Sequence, residues 1–157
     1  MTPLYGRSPV GERCHASVPH GHWQSSTFIV ALRHDQVSAP WLINGPMDGD
    51  TFLTYVSQVL GPELKAGDLV ICDNLPTHKV SGVQEAIAAR GAELLYLPAY
   101  SPDLNPIEMV FSKLKTLVRA AAARTWEALL KAIAEALEAF TPQECLNFFR
   151  HAHYATD

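Results

Sequence analysis

Basic charge is the first thing this sequence lacks: twelve lysines and arginines against sixteen aspartates and glutamates leave a formal net charge of -4. With an isoelectric point near 5.9, a global attraction to nucleic acid is excluded, and any polyanion must be met by a local basic face. Cysteine is also scarce. Cys14, Cys72 and Cys145 are odd in number, widely spaced and without a CxxC pair, which argues against a disulfide framework or zinc ribbon and for a reducing compartment. No stretch reaches the roughly eighteen consecutive apolar residues of a membrane span. The opening "MTPLYGRSPVGERCHASVPHG" has no apolar signal core, so a cytoplasmic protein with no membrane partner is expected. No glycine-rich phosphate loop follows either apolar strand candidate, which weakens nucleotide binding.

What remains is 157 residues, 48% hydrophobic and 18% charged, enough for one ordinary core and one domain spanning 1–157. Glycine, proline and histidine crowd the first 24 residues, which read as loop. His15, His20 and His22 beside Cys14 match no standard zinc spacing and read as surface histidines. "SSTFIVALRH", the turn-like "DQVSAP" and "WLING" predict an antiparallel hairpin. "MDGDTFLTYVSQVLGPEL" predicts a helix with Asp50 as N-cap, apolar Phe52, Tyr55, Val56 and Val59, and a stop at Gly61-Pro62. "DLVICDN" predicts a strand covered on both faces. "THKVSGVQEAIAARG" predicts a helix capped by Thr77 and ended by Gly91, and "AELLYLP" a second buried strand. That order is a βαβ unit with parallel strands. Helix then runs almost to the end, with a break near Arg124-Thr125 and a final helix opened by a Thr141, Pro142, Glu144 capping box. Trp126, Leu129, Ile133 and Leu137 read as core.

Candidate chemistry sits where these elements meet. Asp73 follows the last apolar residue of its strand, at the edge where open parallel sheets hold ligands. The next strand ends at Leu97 on the same edge, and "PAYSPDLNP" must start a helix there, carrying Glu108. Topology therefore brings Asp73 and Glu108 together although residues 74 through 107 separate them. Three prolines between residues 97 and 108 stiffen the loop and fix the helix start. Each carboxylate also has a plainer reading. Asn105, Pro106 and Glu108 fit an Asn-x-x-Glu capping box, and Asp73 fits an Asx turn. On the new helix, Ile107, Val110, Phe111, Leu114, Leu117 and Val118 form an apolar stripe, with Glu108, Lys115 and Arg119 on one flank. Lys115 and Arg119 are DNA-phosphate candidates, or else a solvated face.

Taken jointly, "ICDN", His78, and "YSPDLNPIE" at this distance resemble the catalytic domain of mariner-superfamily bacterial insertion-sequence transposases, members of the Asp-Asp-Glu group. "YGRSPVGERCHASVPHGHW", "SKLKTLVR" and "TPQECLNFF" resemble the same family, so the likeness covers nearly the whole chain. It implies an α/β, ribonuclease-H-like (retroviral integrase) fold, a mixed sheet flanked by helices. It also implies carboxylates that bind Mg²⁺, with Mn²⁺ as alternative, and DNA partners: the element's terminal repeats and target DNA. Hard oxygen ligands suit such ions, and a pair of them roughly 3.5 to 4 Å apart can serve in-line displacement at phosphorus. By resemblance Asp73 is the second carboxylate and Glu108 the third, with Asn74, His78 and Asn105 as supporting or DNA-facing groups.

One departure stands out. The family's first carboxylate lies in an Asp-Glu dipeptide upstream of the "LYGR" segment, and this sequence opens "MTPLYGR". The first strand, its aspartate and the family's helix-turn-helix region are therefore expected to be absent. Asp35 falls in the expected hairpin turn, and Asp48 and Asp50 precede a helix that they would cap, so none is a good substitute. An isolated chain is expected to show little strand transfer. Its unpaired strand edge invites a homodimer or a complementing N-terminal chain. The alternatives are a catalytically dead remnant and an unrelated metal-dependent phosphohydrolase.

Overall fold

The computed structural model describes residues 6–15 and 25–154. β1 (Ser26–Leu32) and β2 (Val37–Asn44) form the expected antiparallel hairpin, but the turn is shorter than the sequence implied. Val37 to Pro40 belong to β2 because the ladder is bulged: Ile29 faces Trp41 while Ala31 faces Ser38. Ala39 takes φ 50° there, and Pro40, exposed on an edge strand, removes no needed donor.

α1 (Gly49–Tyr55) is capped by Asp48, not Asp50; the Asp48 side chain accepts from the Thr51 amide at 2.9 Å. The helix widens into a π turn, Val56–Leu60, and tightens into a 3-10 turn, Gly61–Glu63, so the expected stop at Gly61-Pro62 lies inside its last turn. β3 (Leu69–Cys72) and β4 (Glu93–Tyr96) are parallel, with Leu69 opposite Glu93 and Cys72 opposite Tyr96. The crossover helix α2 (Val83–Ala88) starts six residues after Thr77, which sits instead in a 3-10 turn, Pro76–Lys79. Gly82, at φ 94°, supplies the left-handed turn that starts α2, and no side chain caps it. α3 (Ile107–Ala120), α4 (Trp126–Glu138) and α5 (Pro142–His151) follow as expected, and the Thr141–Glu144 capping box is present.

The expected mixed sheet is thus built as two pairs, antiparallel β1-β2 and parallel β3-β4, with no hydrogen-bonded ladder between them. Two apolar clusters fill the space around them. Phe52, Tyr55, Val56, Val83 and Ile87 of α1, its continuation and α2 pack with Ile29, Val70 and Leu94. Leu114, Val118, Ile133 and Ala136 pack with Phe28 and Leu42 on the other face of the hairpin. Trp126 stays 37% exposed rather than joining the core, because it opens α4 at its N-terminal end. Tyr55 spends its buried hydroxyl on the Ala39 carbonyl at 2.9 Å, satisfying the bulge. Lys113 locks the three C-terminal helices: its Nζ donates to the Ala139 carbonyl at 2.7 Å and to Glu144 Oε1 at 2.6 Å. Among the described residues no helix is long and apolar enough to cross a membrane.

The two sheets are pinned at one end by Arg33, just beyond β1, which pairs with Asp68, just before β3, and donates to the Glu63 carbonyl at 2.9 Å. The Arg33 hydrogen bond, reinforced by the Lys65 amide, pulls the Asp68 carboxyl from its ordinary 3.8 down to about 2. A depressed carboxyl stabilises the fold above its unfolded value and loses that contribution as pH falls through its folded value. Thermal midpoints followed from about pH 5 to pH 2 should therefore fall less steeply in Asp68→Asn than in the parent. Identical slopes would mean that the pair is not maintained in solution.

Candidate active site

β3 ends at Cys72 and β4 at Tyr96, and the Leu97 amide donates to the Cys72 carbonyl at 2.8 Å, so both strands finish on one edge. Asp73 is the first residue past that edge. Its Oδ1 accepts from the Leu75 amide at 3.3 Å, closing the Asx turn that the sequence allowed, and lies 2.6 Å from His78 Nδ1. That approach is close but not aligned as a hydrogen bond. His78 is held on other sides. Its ring lies against Phe52 with centroids 4.2 Å apart, and its carbonyl accepts from the Tyr96 hydroxyl at 2.8 Å. The Asp73 side chain remains 39% exposed against 13% for His78, so a carboxylate open to solvent rests on a buried ring. Burial first, and the Asp73 charge second, push the Cys72 thiol up to about 12, leaving it protonated and inert at neutral pH.

Glu108 is delivered to α3 by the proline-rich loop. Pro102–Leu104 form a 3-10 turn, the Asn105 amide donates to the Pro102 carbonyl at 3.0 Å, and the Tyr154 hydroxyl donates to the Leu104 carbonyl at 3.0 Å. The loop is thereby tied to the end of α5. α3 begins without the Asn105–Glu108 capping box. Its cap position is Pro106, already helical at φ -63°, and no side chain caps it. The Glu108 amide bonds back to the Asn105 carbonyl at 3.2 Å and the Met109 amide to the Pro106 carbonyl at 3.3 Å. Because the helix starts one residue late for the box, the Glu108 carboxylate is exposed and is not used as a cap.

Asp73, His78, Asn105 and Glu108 all line one cavity of about 470 Å³, whose remaining walls are mostly apolar residues of β1, β3 and α3. Asn74 is not on its wall, and Lys115 and Arg119 are exposed on α3 away from it. Asn105 and Glu108 also border a second cavity with Asp103, Arg150, His151 and His153. The sequence reading missed these residues of and beyond α5. The only trace in the sequence is basic residues closing a helix, and only tertiary packing puts them beside Glu108.

Asp73 at the strand edge and Glu108 on α3 offer hard oxygen donors of the kind that Mg²⁺ or Mn²⁺ takes. Among the described residues no group of three or more His, Cys, Asp and Glu side chains is arranged to hold a metal ion. The donor set therefore fits such an ion in kind and is short by number. Cys14 and His15 are exposed and join no such cluster among the described residues, and His20 and His22 lie outside those residues.

A family model described as DDE superfamily endonuclease matches residues 1–130. The chain belongs to that family. The fold of this DDE domain is also that of known transposase structures. The Mos1 mariner paired-end complex with Mn has a TM-score of 0.73 at 17% identity, covering 98% of this chain and 47% of that one. The Mos1 paired-end complex with the left transposon end gives 0.71 at 17%, over the same shares. The Mos1 catalytic domain with Raltegravir and Mg gives 0.60 at 18%, covering 83% of this chain and 75% of that one. At these identities the likeness establishes the α/β, ribonuclease-H-like fold: small sheets flanked by helices. This DDE domain spans just under half the length of the two complexed chains. No curated protein sequence matches it.

Proposed function

We propose that this DDE domain is part of a bacterial insertion-sequence transposase that cuts and joins DNA at the element's terminal repeats. Asp73 and Glu108 would be two of the carboxylates that bind Mg²⁺, or Mn²⁺ in its place. The observation that carries the reading is their shared cavity at the carboxyl edge of a parallel strand pair in a chain of this family. When bound, the ion supplies charge neutralisation at phosphorus and activation of an attacking hydroxyl. This chain's own residues hold and orient. His78, fixed by Phe52 and Tyr96, positions the Asp73 carboxylate, and the tethered loop ending at Asn105 positions Glu108. Asn74 supports the strand end, and Lys115 and Arg119 present positive charge to the DNA backbone further along α3. Related Mos1 structures hold Mn or transposon-end DNA, which supports both partners. A homodimer or a complementing N-terminal chain would complete the site, in the cytoplasm.

With no group of three or more His, Cys, Asp and Glu side chains arranged for a metal ion among its described residues, the isolated chain should bind metal weakly and catalyse little strand transfer. Electron paramagnetic resonance of Mn²⁺ titrated into the purified chain reads the first point. Nicking of a supercoiled plasmid carrying the DNA that flanks its own gene reads the second. We expect weak Mn²⁺ binding without nicking; absence of any Mn²⁺ binding would overturn the metal reading.

A further inference from the structure

Tyr100 is fully exposed and sits at φ 59°, in left-handed backbone that glycine or asparagine adopts readily and a bulky residue does not. With the ring wholly in solvent, packing offsets none of that strain. Strained backbone of this kind collects at ligand clamps and active sites. β4 ends at Tyr96, and Tyr100 lies on the loop that leaves it, between Pro98 and Pro102. The prolines stiffen that loop, and the Tyr154 hydroxyl holds it further on at the Leu104 carbonyl. The ring is therefore presented on a fixed support. The neighbouring loop leaves β3 on the same edge and carries Asp73, half-exposed Leu75 and then Lys79. Lys79 Nζ lies 5.3 Å from the centroid of the Tyr96 ring, and the Tyr96 hydroxyl donates to the His78 carbonyl at 2.8 Å. These two contacts hold a cation at the end of β4, where the Tyr100 loop departs. The edge that carries Asp73 thus also offers a positioned cation and an open aromatic face, and the metal reading uses neither.

We propose that Tyr100 stacks on one unpaired nucleobase of the DNA and that Lys79 takes a phosphate of the same strand. Every base has a π-face, and its strand carries negative charge beside it, so a nucleotide matches both groups at once. A paired base inside a duplex is already stacked on both sides. The occupant is therefore a single-stranded end or an extruded base. The inference rests on the DNA reading given under the proposed function and is independent of bound metal.

The probe is a DNA duplex taken from the sequence flanking the gene, with a single-stranded 3′ overhang bearing 2-aminopurine, added to the full chain in chelator. Anisotropy of a dye at the far end reads association, and quenching of the 2-aminopurine reads stacking. The parent and Tyr100→Phe should quench the overhang and bind it about fivefold or more tighter than a blunt duplex, the scale of one base–aromatic stack. Tyr100→Asn, which suits the left-handed backbone, should keep the parent Tm, lose the quenching and bind both duplexes alike. Lys79→Gln should keep the quenching and lower the slope of log affinity against log salt by about 0.7, the share of one phosphate on a single strand. Association without quenching, or equal quenching by Tyr100→Asn, would overturn the stacking and leave the DNA reading standing. No rise in anisotropy would remove the DNA reading and the stacking with it. A Tyr100→Asn chain that sediments differently without DNA would assign the ring to a protein contact and overturn the proposal.

Discussion

Glu108→Gln should abolish the thermal stabilisation that Mn²⁺ gives the parent chain. A ligand that binds only the folded state adds about 2.7 kcal/mol at a hundredfold excess over its Kd. For a domain of this size that corresponds to roughly 5 to 10 °C in Tm. Glutamine keeps the shape of Glu108 but removes the charge that a hard cation requires. Because Glu108 caps nothing and is exposed, the variant's Tm in chelator should match the parent's. Asp73→Asn should lose the same metal response and also change the metal-free Tm, since Asp73 faces His78 at 2.6 Å and closes the turn at Leu75. Lys115→Ala, well away from the cavity wall, should keep the full shift. Melting curves of the four proteins with Mn²⁺ and with chelator decide the matter, and an undiminished shift in Glu108→Gln would remove Glu108 from the metal site.

The elements that carry the site were legible because each is written locally. "DLVIC" and "AELLY" are short apolar runs with a helical pattern between them, and a parallel pair on one edge follows from that order alone. Thr141, Pro142 and Glu144 spell a capping box that forms as written. Capping failed as a guide where the loop geometry is set from a distance. Asn105-x-x-Glu108 has the same grammar, yet the Tyr154 hydroxyl and the 3-10 turn at Pro102–Leu104 hold the loop so that α3 opens at Pro106. Thr77 likewise lost its cap to the Asp73 turn and the 3-10 turn after it, and Gly82 took over the helix start. The separation of the sheet into two pairs had no local signature. Each strand edge looks the same in sequence whether or not another strand lies beside it. Arg150, His151 and His153 were invisible as site neighbours for a similar reason: their place beside Glu108 is set by how α5 packs, 42 residues after the carboxylate, from 108 to 150.

Ile87→Ala should cost about 3 kcal/mol, within the range of about 2 to 5 for truncating a buried isoleucine. Ile87 is 1% exposed and lies on α2 among Val83, Phe52 and Tyr55. That cluster is what β3 and β4 rest on, through Val70, Cys72 and Leu94. The opposite face of the same pair is open: Leu69 and Leu95 are 54% and 49% exposed. The parallel strands that carry Asp73 are therefore supported from one side, and a cavity there removes support that the other side does not replace. Against a total stability of about 5 to 15 kcal/mol for a domain, the loss should lower the urea midpoint by a fifth or more. Leu95→Thr, on the open face, should change the stability by less than about 0.5 kcal/mol, because the leucine already meets water and threonine suits a strand. Equal losses in the two variants would show that something covers the Leu69–Leu95 face in solution, and the one-sided account of the Asp73 platform would fail.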